Sequence, residues 1–406
     1  MKRYIERAME PVLRRAVAEF PALILTGPRQ AGKTTLLKHL FEEDYEYLSL
    51  QLPDVRAAAQ ADPRTFLARF PPPVIYDEVQ YAPELLSYVK ERIDQDRSRP
   101  GQFILTGSQN LLLMEKVSES LAGRAAVFRL LPLSRREAHG RPRAPFPWEA
   151  KEGSGIGVLP SPDALWGEFL RGSYPELVAN PGRDEALWHS SYLQTYLERD
   201  VRTLRQVGDL TQFQSFLRAL AARTGQLLNL SELSRDLGVA VNTAKAWLSV
   251  LEATHQVIIL RPYFANVGKR LVKTPKVYFT DVGTLCQLTG LSDPNHAAAG
   301  PMAGPILETA VLSEIVKTLW NRGSEPEVYF WRTSAGEEVD LLVQASGTLI
   351  PIEVKLSATP RPAMASSVRR LQEGLGDRVG DGFLVHPGEG RLPMAPRVTA
   401  VGLSML

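Results

Sequence analysis

Two groups of residues in this chain have the types and spacing that phosphate chemistry needs. The first is Gly27-Pro-Arg-Gln-Ala-Gly-Lys-Thr-Thr35, which follows the apolar run Leu23-Ile-Leu25 and precedes the helix-like Leu36-Leu-Lys-His-Leu40. Glycines separated by four residues let the backbone curl so that successive N–H groups face one phosphate, and the N-terminus of the next helix favours the same charge. Lys33 then reaches the β- and γ-phosphates of ATP, and the Thr34 hydroxyl ligates Mg²⁺. Gly27, Gln30, Ala31, Gly32, Lys33, Thr34 and Thr35 are thus the candidate nucleotide contacts. Nucleotide hydrolysis also needs carboxylates, and Pro73-Val-Ile-Tyr-Asp-Glu-Val-Gln80 has an apolar run ending in two acids. A buried parallel strand delivers such acids to the carboxyl edge of a sheet, placing Asp77 in the Mg²⁺ shell and Glu78 against an attacking water.

The second group lies near the C-terminus. Glu338-Val-Asp-Leu-Leu-Val343, a turn through Ser346-Gly347 and Leu349-Ile-Pro-Ile-Glu-Val-Lys355 form a hairpin pattern. Strand alternation puts Glu353 and Lys355 on one face while Ile352 and Val354 enter a core, and Asp340 on the partner strand is able to face the same site. Asp340 and Glu353 suit a hard cation, Mg²⁺ or Mn²⁺, and Lys355 beside it polarises a water or steadies phosphorane charge. Two surface acids and a lysine on an edge hairpin are the plain alternative.

Other strand ends add weaker candidates. Gln102-Phe-Ile-Leu-Thr-Gly-Ser-Gln109 ends in polar residues, so Ser108 or Gln109 touches the γ-phosphate, or Ser108 caps a helix. Arg124, in Leu121-Ala-Gly-Arg124, is either an arginine finger on a γ-phosphate or a member of a surface ion pair.

Taken in order, Gly27 to Thr34, Ile75-Tyr-Asp-Glu-Val-Gln80, Leu105-Thr-Gly-Ser-Gln109 and Leu121-Ala-Gly-Arg124 resemble a family of bacterial and archaeal AAA+-type ATPases. Arg171-Gly-Ser-Tyr-Pro-Glu176 and Tyr192-Leu-Gln-Thr-Tyr-Leu-Glu-Arg-Asp200 extend the likeness, although the family usually has two glycines before that tyrosine. The resemblance implies a restriction-endonuclease-like fold at the C-terminus and a lid-like helical subdomain near 163–203. In it Arg199-Asp200 is a nucleotide sensor or an internal ion pair. AAA+ relatives form rings, which adds a homo-oligomer to the expected partners. Asp340 with Glu353-Val-Lys355 resembles the PD-(D/E)xK nuclease core, in which Glu308 of Ile306-Leu-Glu308 matches an additional metal-side acid. The proline that often precedes the first aspartate is replaced by Val339.

The remaining elements position these sites. An amphipathic helix is expected over 5–18, and His139 to Pro162 reads as a surface loop or linker. Ser231 to Leu237, a break at Gly238 and Val241 to Glu252 have helix-turn-helix lengths, with Ala244, Trp247, Leu248 and Leu251 inward and Asn242, Lys245 and Ser249 outward. Val257 to Tyr263 and Lys276 to Thr280 look like a winged hairpin whose Lys269, Arg270, Lys273 and Lys276 form a basic patch for DNA phosphates, or a solvated face on a packing module.

Composition bounds the rest. The 406 residues suggest two or three domains, and a net charge of +2 leaves DNA binding to local patches. The single Cys286 excludes internal disulfides and a cysteine zinc site and reads as a small core residue; the histidines show no ligand spacing. Early charges exclude a secretory signal and no apolar run spans a bilayer, so a cytoplasmic protein without membrane partners is expected. The predicted fold is α/β: a P-loop AAA+-like ATPase core at 1–165, a helical lid and winged helix-turn-helix at 166–290, and a PD-(D/E)xK nuclease-like α/β domain at 291–406. The predicted function is an ATP-hydrolysing, Mg²⁺-dependent DNA nuclease in which ATP turnover gates DNA binding or cleavage. The alternative is an ATP-switched DNA-binding regulator or signalling ATPase with a silent nuclease-like domain.

Overall fold

A computed structural model describes residues 4–107, 120–150, 162–196, 209–263 and 273–406. The apolar run before the glycine loop becomes β1 (Ala22–Thr26), buried at every position. With β2 (Glu46–Ser49), β3 (Val74–Asp77), β4 (Phe103–Gly107) and β5 (Ala125–Arg129) it forms a parallel sheet in the order β2-β3-β4-β1-β5. Both faces are covered, as continuous apolar strands require. One face carries α1 (Glu10–Glu19) and α2 (Lys33–Phe41) through Leu13, Leu36, Leu37 and Leu40. The other carries α3 (Pro53–Ala61), α4 (Pro63–Arg69) and α5 (Leu85–Gln95) through Ala59, Phe66, Leu86 and Val89. Parallel pairing puts the ends of β1 and β3 at one edge, where Gly27 and Asp77 emerge together.

Next come α6 (Arg135–Ala138), α7 (Pro162–Arg171), α8 (Pro175–Ala179), α9 (Glu185–Tyr196), α10 (Leu210–Ala221), α11 (Leu230–Leu237) and α12 (Val241–Ala253). Gly238, at φ +67°, ends α11 in the left-handed conformation, and the chain turns directly into α12. Ala244, Trp247, Leu248 and Leu251 of α12 are buried while Asn242, Lys245 and Ser249 are exposed.

The second sheet is mixed, in the order β12-β13-β11-β10-β9-β8-β6-β7. Its strands are β6 (Val257–Pro262), β7 (Lys276–Phe279), β8 (Val328–Arg332), β9 (Glu338–Ala345), β10 (Thr348–Val354), β11 (Gly382–His386), β12 (Arg391–Ala395) and β13 (Val398–Gly402). The short helices α13 (Val282–Leu288) and α14 (Pro294–Ala299) lead to α15 (Ala303–Asn321), which packs with the middle helices on one face; α16 (Ser366–Leu375) covers the other. β9 and β10 meet through Ser346 and Gly347, both at positive φ, which matches the twist of a tight hairpin.

Three expectations change. The first helix starts at Glu10, with proline in its first turn, because Tyr4 to Arg7 is drawn against the glycine loop. The hairpin of β6 and β7 is no free wing: β6 pairs in parallel with β8, so the strands belong to the second sheet and the expected division near 290 cuts through it. Residues 139–150 are pinned: Phe146 is fully buried between the guanidinium groups of Arg136 and Arg322, at 4.5 and 4.6 Å from its ring centre. Among the described residues, no helix is long and apolar enough to cross a membrane.

Candidate functional site

The glycine loop is wound as tightly as a phosphate cradle must be. Gly27 has φ +144°, and a Cβ there would drive into the Leu130 carbonyl of the adjoining strand end. Gln30 at φ +63° and Gly32 at φ +92° complete the curl. Holding a non-glycine residue such as Gln30 left-handed costs roughly 1–3 kcal/mol, and surrounding structure must over-determine it. Arg7 supplies that support: 3% exposed, it donates from Nη1 to Ala31 O at 2.9 Å and from Nη2 to Leu131 O at 2.8 Å, while Nε pairs with Glu137 at 3.1 Å. Lys33 Nζ is held inside the curl by the Gly27 and Pro28 carbonyls, each at 2.9 Å. The N-cap of α2 is Gly32 with no side-chain cap, so the first-turn N–H groups face the loop opening.

Asp77 is 4% exposed and accepts from three hydroxyls. Thr34 Oγ1 lies 2.9 Å and Tyr47 OH 2.5 Å from Oδ2, and Thr106 Oγ1 lies 2.6 Å from Oδ1. Burial and the bond to Asp77 raise the Tyr47 phenol pKa, so it stays a donor. The hydroxyl and carboxylate expected to hold one Mg²⁺ are therefore in direct contact. Glu78 follows at φ +59°, with its carboxylate accepting from the Gln80 amide. A cavity of about 680 Å³ opens over the loop, lined among others by Tyr4, Gln30, Lys33, Glu78, Glu176 and Tyr192. That volume suits a small-molecule ligand. α8 and α9 thus stand over the glycine loop.

The second acid group also converges. The register of β9 and β10, Ile352 opposite Leu341, sets Asp340 opposite Glu353 at the next pair, and Asp340 Oδ2 accepts from Val354 N at 2.8 Å. Glu353 is 5% exposed; its Oε1 takes Lys355 Nζ at 2.5 Å, and its buried Oε2 has no hydrogen-bond partner among the described residues. Glu308 reaches the group from α15 and accepts from Tyr278 OH and, at 3.1 Å, from Lys276 Nζ. Burial first, and then the neighbouring Asp340 carboxylate, push Glu308 up to about 7 and Glu353 up to about 8. Asp340 is raised too, chiefly by burial against the pull of Lys276. Among the described residues, no three or more His, Cys, Asp or Glu side chains form a ready metal cage. What fits Mg²⁺ here is Asp340 and Glu353, facing each other with one buried oxygen to spare, because Mg²⁺ takes few protein carboxylates and keeps waters.

Several sequence candidates lie elsewhere. Arg124 stands away from this chain's glycine loop: its carbonyl accepts from Ala22 N at the start of β1, the opposite sheet edge. Its guanidinium forks onto Asp94 at 2.7 and 3.0 Å. Lys276, expected on a solvated basic patch, is 3% exposed and enclosed by acids. Ser108, Gln109, Arg199, Asp200, Lys269 and Arg270 lie outside the described residues, and Lys273 is exposed. Thr35 lines the nucleotide cavity, and Cys286 is buried with its thiol pushed up to about 12. Sequence reading missed Arg7, Tyr47 and Thr106, of which only Thr106 carried a signal, as a hydroxyl ending an apolar strand.

A glycine loop on a parallel sheet, with a hydroxyl-bound aspartate at the same edge, defines a P-loop ATPase, and residues 19–139 match the family described as AAA domain. Residues 163–295 match a domain of unknown function (DUF8612), and residues 303–406 a second (DUF4143). Two mycobacterial proteins named only as uncharacterized, from Mycobacterium tuberculosis and Mycobacterium bovis, are each 34% identical over 394 residues, covering 96% of this chain and 81% of theirs. The chain belongs to their family. A solved Walker-type ATPase of Pyrococcus abyssi is 16% identical, with a TM-score of 0.46 over 70% of this chain and 96% of that one. The descriptions matched by the two later regions carry no activity, so any chemistry there is read from the residues alone.

Proposed function

We propose that the chain hydrolyses ATP at the glycine loop and cuts DNA at the Glu308, Asp340 and Glu353 cluster, with nucleotide turnover gating DNA binding or cleavage. In the first site the loop N–H groups and Lys33 bind the β- and γ-phosphates, and Thr34 and Asp77 hold Mg²⁺. Glu78 accepts the proton of the attacking water. An Mg²⁺ held by Thr34 and Asp77 would neutralise phosphate charge. In the second site, within a restriction-endonuclease-like domain, Asp340 and Glu353 hold Mg²⁺ or Mn²⁺, and Glu308 adds a third acid. Lys355 orients the nucleophilic water or steadies the phosphorane. The metal there supplies a water acidic enough to attack phosphorus at neutral pH. The exposed Asn242, Lys245 and Ser249 of α12 support DNA as the partner.

The observation that carries this reading is the meeting of Asp340, Glu353, Lys355 and Glu308 in one electrostatic neighbourhood from a hairpin and a separate helix. Mg²⁺- or Mn²⁺-dependent degradation of plasmid and linear DNA tests it, wild type against Asp340→Ala with Lys355→Ala. Cleavage by the wild type alone supports the nuclease. Intact DNA in both preparations hands the chain to the second reading, an ATP-switched DNA-binding regulator or signalling ATPase. The observation favouring that second reading is the ammonium of Lys276 among the acids.

A further inference from the structure

The acid cluster already encloses a cation belonging to the chain itself. Lys276 enters from β7, and its Nζ lies 3.1 Å from Glu308 Oε1 and 2.5 Å from Glu338 Oε1, with the Phe330 ring centre 5.5 Å away. Its side chain is 4% exposed, whereas that of Lys355 is 35% exposed. The two lysines therefore differ in freedom: Lys355 lies half at the surface against Glu353, and Lys276 is locked between α15 and β9. Glu338 is held a second time, by Arg332 at 2.5 Å. Four carboxylates, Glu308, Glu338, Asp340 and Glu353, thus face Lys276, Lys355 and Arg332, and one buried oxygen, Glu353 Oε2, takes no hydrogen bond.

Glu308 cannot serve two cations without cost. A divalent ion bound to its carboxylate would sit within several ångströms of a fixed ammonium, inside a region where water does little to screen their repulsion. For the ion to enter, Lys276, its side chain 4% exposed, must leave its grip on Glu308 and Glu338 and move toward solvent. We propose that Lys276 is the resident counter-ion of this site, competes with Mg²⁺ or Mn²⁺ for Glu308, and thereby sets the affinity of the acid cluster for a divalent metal. This rests on the metal-site reading above and adds to it a residue that acts by occupying the cation position, without touching DNA or the reacting water. Asp340 and Glu353 remain able to take the ion first, and Glu308 joins only when Lys276 withdraws.

The experiment is Mn²⁺ binding to the nucleotide-free full-length protein, read by calorimetry and by water-proton relaxation. Wild type is compared with Lys276→Met, each with and without Asp340→Asn. The expected result is binding at least about tenfold tighter in Lys276→Met than in wild type, or about 1.4 kcal/mol, abolished by Asp340→Asn in both backgrounds. Equal affinities that both vanish with Asp340→Asn overturn the role of Lys276 and leave the metal site standing. No Asp340-dependent binding in either protein removes the metal site itself. Because Lys276→Met leaves Glu308 and Glu338 short of a partner and destabilises the fold, a second measurement keeps Lys276 in place: its amine acylation in wild type and in Asp340→Asn, followed by mass spectrometry. Labelling should rise several-fold when Mn²⁺ is added and stay flat in Asp340→Asn. An unchanged labelling rate in a wild type that binds Mn²⁺ refutes the competition.

Discussion

Replacing Arg136 by methionine while Glu314 stays in place should be among the most damaging single changes away from the glycine loop and the acid cluster. The Arg136 and Glu314 side chains are 1% and 4% exposed, with Nε 3.0 Å from Oε1. Nη1 donates to Ala144 O at 2.5 Å, and the guanidinium stacks on the buried Phe146 ring. Burial pulls the Arg136 pKa down and Glu314 pulls it back, so the charge depends on its partner. Methionine keeps the stem but leaves the Glu314 carboxylate with only the Arg135 and Arg136 backbone N–H groups and Thr318 as donors. Orphaning one member of such a pair costs about 3–5 kcal/mol. Glu314→Gln should cost a similar amount, for the same reason seen from the other side. The double variant removes both charges, and its loss should fall short of the summed single losses by at least about 2 kcal/mol. The assay is urea unfolding followed by circular dichroism and by calorimetry, comparing the same cooperative transition in all four proteins because a multidomain chain need not unfold in two states. Single losses below about 1 kcal/mol, or losses that simply add, would refute the claim that this pair clamps the ATPase core to α15.

Gly27→Ala places a Cβ against the Leu130 carbonyl at a φ that only glycine tolerates, so nucleotide affinity should fall at least about tenfold, measured with a fluorescent ATP analogue. Lys33→Ala should abolish phosphate release, and turnover unchanged by it removes the ATPase assignment to this loop. Phe146→Ala should lower stability by about 3–5 kcal/mol in the same urea assay, since it empties a buried ring site between Arg136 and Arg322. Glu353, raised from the ordinary 4.5 to about 8 chiefly by burial, is protonated in the fold and ionised in the unfolded chain between those values. It therefore stabilises fully below about 4.5 and loses that contribution as pH rises toward 8, with a slope of at most about 1.4 kcal/mol per pH unit. Without added metal, the Tm of Glu353→Gln relative to wild type should climb between pH 5 and pH 8, and a decline would invert the argument.

The nucleotide site was legible because its main parts are consecutive or end a strand. Gly27 to Thr34 states its own geometry, and Asp77 had to emerge at the edge shared with β1 once β3 was a parallel strand. Of the two readings of Arg124, the surface ion pair is the one seen, with Asp94; a sequence does not say at which end of a parallel strand a residue stands, and Arg124 precedes β5 where Asp77 closes β3. Glu353 and Asp340 could be paired from alternation and a two-residue turn. Lys276 could not: period-two patterning assigns a face but not the neighbour that covers it, and here the neighbours are α15 and β9. Residues 139–150 read as linker from their prolines and glycines, yet Phe146 is held by two arginines that lie far from it in sequence or outside its own segment.

The proposed coupling of nucleotide turnover to the acid cluster has a route through one helix. Arg7 ties Ala31 of the glycine loop to Glu137, and Glu137 caps α6 through Ser134. The same short helix presents Arg136 to Glu314 on α15, and Lys317, one turn further along, donates to Leu133 O at 3.2 Å and to Ser173 Oγ at 2.8 Å. Glu308 lies six residues before Glu314 on that helix, so about 9 Å of rigid backbone joins the grip on the ATPase core to the carboxylate that holds Lys276. A shift of the glycine loop that moves Arg7 has a continuous chain of buried ion pairs and hydrogen bonds along which to displace α15. Coupling carried this way requires the Arg136–Glu314 clamp. The double variant, although less destabilised than the two single losses together, should therefore still uncouple the sites, leaving Mn²⁺ affinity at Asp340 insensitive to added ATP analogue while the wild type responds to it.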